Sequence, residues 1–105
     1  MARVELVPEV LDDFERFLDH MTRFEVADAA GRIAEIVQAI DVLDHSPLIG
    51  RPVRGGTREL VIGRRARGYI ALYRYVPGLD TVFILAVRSQ REAGFKRRQR
   101  PVAAR

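Results

Sequence analysis

Cysteine is absent from the chain. That excludes disulfides, a thiolate nucleophile and any cysteine-ligated zinc or iron–sulfur site. Histidine occurs only as His20 and His45. No H-x-x-x-H, H-E-x-x-H or carboxylate pair at ligand spacing accompanies either, so the sequence offers neither a metal site nor a cofactor site. Both histidines sit where helices are expected to end, and there an imidazolium satisfies free carbonyls at the negative end of the helix dipole. Long hydrophobic runs are missing too. The longest, Val82 to Val87, is far too short to span a bilayer, and the opening MARVELVPEV lacks the basic segment and apolar stretch of a signal peptide. The expectation is a cytoplasmic protein with no membrane association.

The 105 residues suffice for one domain and one core. We assign residues 1–98 to it and residues 99–105 to a flexible basic tail. With 48% hydrophobic and 30% charged residues the composition is that of a globular protein. The net charge of +4 conceals a division. Residues 1–50 carry four arginines against eleven carboxylates, a net of −7, whereas residues 51–105 carry fourteen cations against three carboxylates, a net of +11. The two halves therefore suit different electrostatic partners. Lys96 is the only lysine among eighteen cations, and guanidinium is the group that binds phosphate or carboxylate bidentately.

Arg3 to Val7 alternates polar and apolar residues, as a half-buried strand does. Pro8 suits a first helical position, with Glu9, Asp12 and Asp13 near the positive end of the dipole. Val10, Phe14, Phe17, Leu18 and Met21 recur at three- and four-residue spacing, which predicts a helix from Pro8 to His20. Thr22-Arg23-Phe24-Glu25 has the form of a capping box, so a second helix is expected from there, with Val26, Ala30, Ile33, Val37, Ile40 and Leu43 as its stripe, ending before Ser46-Pro47. The stretch from Ser46 to Thr57, rich in proline and glycine, reads as a loop. Three strands follow, Arg58–Ile62, Tyr69–Val76 and Thr81–Arg88, on connections short enough for hairpins. Val82 to Val87, apolar on both faces, marks a central strand, and Arg91 to Arg98 a short last helix. The architecture expected is α+β: an N-terminal strand, an antiparallel helical hairpin and a three-stranded antiparallel meander, with about four strands in the sheet.

Arg58-Glu59-Leu60-Val61-Ile62, Arg67-Gly68-Tyr69-Ile70-Ala71-Leu72-Tyr73-Arg74 and the segment from Val82 to Phe95 resemble, strand by strand, the C-terminal half of the RelE/ParE superfamily of type II toxins, on its ParE side. Leu43 to Val53, with Ser46-Pro47 and Gly50-Arg51-Pro52, is similar to that group's helix-to-sheet loop. The resemblance implies a plasmid-stabilisation or addiction-module toxin that poisons DNA gyrase by protein–protein contact, without catalytic residues of its own. It implies a ParD-like antitoxin as partner, and operator DNA met only through that antitoxin. The alternative within the superfamily is a RelE-type, ribosome-dependent mRNA interferase; a third reading is a related interaction module without toxicity. The family segment that Arg88-Ser89-Gln90-Arg91 resembles often carries a histidine where this chain has Ser89 and a tyrosine where it has Phe95, and RelE-type members use such a residue from this region in cleavage. Neither replacement transfers protons well near neutral pH.

The arginines of the meander are the candidate target-binding residues: Arg58, Arg67, Arg74, Arg88 and Arg91. Charge in a hairpin connection is ordinarily solvated surface, and Arg58 or Arg88 could instead pair with Glu59 or Glu92. What distinguishes the group is its concentration on one meander, where the charges could merge into a single field. For the antitoxin the candidates are Phe14, Phe17 and Ile36 on the hairpin, with Arg74, because an amphipathic tail needs apolar anchor sites beside positive charge. Tyr69, Tyr73 and Tyr75 share a strand face with Ala71, and core packing is expected for at least two of them.

Overall fold

The structure, a computed structural model, describes residues 1–23, 29–63 and 68–89. The short strand β1, Arg3–Leu6, leads into helix α1, Pro8–Arg23. Proline opens the helix because its missing N–H would be unpaired there in any case. Val10, Asp13, Phe17 and Met21 form the buried stripe of α1. Burial of Met21 carries the helix one turn beyond His20, so Thr22 and Arg23 belong to α1 and do not open the second helix. The other half of the expected capping box, Phe24-Glu25, lies outside the described residues. Helix α2 is described over Ala29–Asp41, buries Ile36 and Ile40, and tightens into a 3-10 turn, Val42–Asp44, that still buries Leu43. The backbone N–H of His45 closes that turn on the Val42 carbonyl.

Among the described residues five strands make the sheet, one more than expected. Strand β2, Arg51–Val53, pairs antiparallel with β3, Thr57–Ile62. The chain reverses between them at Gly55 and Gly56, whose φ angles of 78° and 73° lie where glycine has no steric penalty. Pro52 is tolerated in β2 because an edge strand need not donate on both sides. The meander continues with β4, Tyr69–Val76, and β5, Thr81–Ser89, both antiparallel to their predecessors. The spatial order is β1-β5-β4-β3-β2, and β1 lies parallel to β5. The first strand therefore flanks the last, and the strand from Thr81 has neighbours on both sides, as its apolar run requires.

The register sorts side chains onto two faces. Leu60, Ile62, Tyr69, Ala71, Tyr73, Tyr75, Val82, Ile84 and Val87 join the core with α1 and α2. A bulge beside Leu72 and Tyr73 accommodates one extra residue, Leu85, in β5, which keeps Val87 on the core side as well. The opposite face carries Val61, Leu72, Arg74 and Phe83. Tyr73 is fully buried and Tyr69 packs on Phe17, ring centroids 5.3 Å apart. The expected core role of the tyrosines is thus observed. The hairpin connection with Arg67, the expected last helix with Arg91, and the tail fall outside the described residues.

Candidate functional site

Arg74 stands on the open sheet face, exposed, and donates to the Gly55 carbonyl at 2.6 Å. Arg58 is directed oppositely by its register with Tyr73. One of its guanidinium nitrogens donates to the carbonyls of Leu48, 3.0 Å, and Gly50, 2.8 Å. Arg88 turns toward α1 and meets the carboxylate of Asp13 at 2.8 Å. The meander's described arginines therefore do not all share a face, and each has an acceptor within the protein: loop carbonyls for Arg58 and Arg74, buried Asp13 for Arg88. Neither anticipated ion pair forms with Glu59, which bonds Arg51 at 2.7 Å.

Asp13 is the residue that sequence reasoning assigned to the helix dipole alone. The structure buries it, and its second oxygen accepts the backbone N–H of Val87 at 2.9 Å. Strand β1 ends at Leu6, opposite Ile84, so the N–H groups of β5 beyond that point face no strand on this side. Asp13 supplies the missing acceptor, and Arg16 at 3.1 Å is a second cationic partner beside Arg88. A signal was available: a carboxylate three residues after Val10 and four before Phe17 falls on the apolar stripe, and a buried carboxylate requires partners.

A second lock fixes the helix-to-sheet loop. Gly50 donates its N–H to the Tyr73 hydroxyl at 2.8 Å. A β-carbon on Gly50 would stand 2.6 Å from the Tyr73 ring and 2.8 Å from the Glu59 carbonyl oxygen, so no larger residue fits. At the end of the meander the Tyr75 hydroxyl donates to Asp80 at 2.8 Å. That hydrogen bond raises the Tyr75 pKa above its ordinary 10.0, because ionisation forfeits the donor and places two negative charges together.

Of the residues expected to meet a partner on the hairpin, Phe17 and Ile36 lie inside the core. Neither offers its side chain to another protein. Phe14 is half-buried and packs at the edge of the core. Leu11 and Leu18 flank it on α1 and are exposed; the spacing of the three places them on adjoining strips of one helix side. The sequence pattern missed Leu11 because the core stripe accounts for the helix without it. Among the described residues no group of three His, Asp or Glu side chains converges as a metal site, and no helix is long and apolar enough to cross a membrane.

Solved structures that share this arrangement of helices and sheet include two toxin–antitoxin systems. The chromosomal ParDE toxin–antitoxin system from P. aeruginosa matches with a TM-score of 0.71 at 22% identity, over 85% of this chain and 96% of that one. The intact E. coli RelBE toxin–antitoxin complex matches with a TM-score of 0.59 at 14% identity, over 85% and 96%. No curated protein matches the sequence. The fold is that of the RelE/ParE toxin superfamily. Residues 4–94 match the family described as ParE toxin of type II toxin–antitoxin system, parDE, and the chain belongs to that family.

Proposed function

We propose that this ParE-type toxin acts by docking on DNA gyrase and is held inactive by a ParD-like antitoxin. The observation that carries this reading over an mRNA interferase is the engagement of the arginines. A phosphate cradle needs several guanidinium groups directed at one point, yet Arg58 serves loop carbonyls on the core side and Arg88 serves buried Asp13. Ser89 adds no group able to transfer a proton near neutral pH. Arg74, exposed on the open face although it also donates to the Gly55 carbonyl, is the described member of the meander group best suited to a target contact, with Arg67 and Arg91 as further candidates from the sequence.

For the antitoxin, exposed Leu11 and Leu18 beside half-buried Phe14 supply the apolar strip that an amphipathic segment requires. Phe17 and Ile36 are buried in the core and are not part of that strip. The RelBE and ParDE structures are both toxin–antitoxin assemblies, which supports a protein partner for this chain. Induction of the gene alone should arrest growth with DNA breaks and an SOS response, and co-expression of the protein encoded beside it should restore growth. Arg74→Ala should weaken the arrest while the melting temperature holds. Cuts within codons of translated mRNA, without DNA breaks, would overturn the gyrase reading.

A further inference from the structure

Single exposed aliphatic residues, such as Val61 on the open sheet face, are ordinary on a protein surface. Leu48 and Ile49 are different in kind. They are neighbours in sequence, 58% and 59% exposed, and the backbone that presents them is pinned on both sides. The Ile49 N–H donates to the Ser46 carbonyl at 3.1 Å. Arg58 holds the carbonyls of Leu48 and Gly50, and the Gly50 N–H is held by fully buried Tyr73. A loop whose backbone freedom is already lost on folding sacrifices little more on binding, so its side chains act as preformed anchors. Arg51 follows two residues later, exposed although paired with Glu59, and Arg54 is exposed with no ion-pair partner among the described residues.

We infer that this braced Leu48–Ile49 tip is a docking element for the toxin's target, a folded protein whose apolar concavity is rimmed by carboxylates. A flexible antitoxin segment carries its own anchors and needs grooves to receive them. A rigid apolar tip has the reverse requirement, a preformed pocket on the other molecule, as when a long antibody loop enters a concave epitope. The flanking guanidinium groups favour an acidic rim and speed encounter with it. The inference rests on the toxin reading and names the part of the surface that reaches the target.

The test uses full-length protein, a Leu48→Ser/Ile49→Ser double variant and a Leu48→Gln single variant, with purified DNA gyrase and the purified neighbouring antitoxin as probes. Both side chains are mostly in water and the bracing bonds engage only the backbone of Leu48, Ile49 and Gly50, so melting temperature and antitoxin affinity should be unchanged. Burying the exposed halves of two aliphatic side chains corresponds to about a 30-fold change in gyrase affinity, and the double variant should lose that much together with growth arrest. The single variant should fall between. Equal gyrase binding and equal arrest by folded variants overturns the inference and leaves the gyrase reading standing. Should wild-type protein fail to bind gyrase, the gyrase reading fails and growth arrest decides: its loss in both variants sustains the tip as the contact to another target, and its persistence, or the absence of arrest by the wild type, overturns it.

Discussion

Replacing Asp13 by alanine removes the acceptor for a backbone donor of β5 and the counter-charge for Arg88 in one step. The Val87 N–H is then left in a dry site without a partner, which costs about 1–3 kcal/mol. Losing one member of a fully buried ion pair costs about 3–5 kcal/mol, but the Arg88 side chain is 38% exposed and water screens much of that penalty. We assign about 1 kcal/mol to it, in the range of partly solvated pairs. The total, about 2–4 kcal/mol, lowers the melting temperature of a domain this size by roughly 10–25 °C. Asp13→Asn keeps an oxygen for the Val87 N–H and gives up only the charge, so its loss should be about 1 kcal/mol. Thermal and urea unfolding followed by circular dichroism will order the three proteins, and amide exchange will report on Val87 itself. An Asp13→Ala protein melting within about 3 °C of wild type would refute the reasoning, as would equal losses for the two variants, since that would mean the β5 donor contributes nothing.

The loop lock gives a graded pair: Tyr73→Phe should cost about 1–3 kcal/mol by orphaning the Gly50 N–H, while Gly50→Ala should cost more because its β-carbon collides with a buried ring and a backbone oxygen. Urea midpoints in the reverse order would count against the lock. Asp80 adopts φ 45° and ψ 47°, so Asp80→Ala should lose about 1–2 kcal/mol and Asp80→Asn far less, since asparagine tolerates this region; equal losses would place the effect elsewhere. Tyr75 has its pKa raised in the folded state, so its bond to Asp80 contributes fully below pH 10.0 and is lost as pH rises through the higher folded-state value. The stability gap between wild type and Tyr75→Phe should accordingly close in strong alkali, and a gap that stays constant there would exclude the bond as its source.

The elements with strong periodicity were legible in the sequence: α1 from Pro8, the alternation of β4, and β5 as an interior strand. Strand β2 was not. Three residues containing Pro52 carry no period of their own, and their extension is imposed by β3 across the turn at Gly55 and Gly56. The helix boundary at Thr22 was not legible either: Thr22-Arg23-Phe24-Glu25 has the form of a helix start, whereas α1 runs on through Met21, already on its apolar stripe, to Arg23. At the candidate site, residue types were legible and their directions were not. Arg58 and Arg74 are both strand arginines, yet the pairing register places them on opposite sides of the sheet, and a single residue of slip would exchange them. The partner of Arg88 lies 75 residues away in sequence, a separation at which no local pattern speaks. Phe17, Ile36 and Leu18 illustrate a further limit: all three are apolar helix residues, yet Phe17 and Ile36 are buried while Leu18, on the predicted stripe, is exposed, and only tertiary packing separates them.

The parallel pairing of β1 with β5 has a consequence for how the molecule comes into being. Among the described strands the one made first has its neighbour in the one made last, and the Asp13 carboxylate waits for Val87 and Arg88 over the same span. Hairpins of the meander can close by local contacts, whereas the long loop joining β1 to β5 closes late because its entropy cost precedes its reward. A ribosome-bound chain that has not yet exposed residues from Thr81 onward therefore holds an unpaired first strand and an unsatisfied carboxylate. Any frameshift or stop codon before that point leaves the same incomplete object, with neither the neighbour of β1 nor the partners of Asp13.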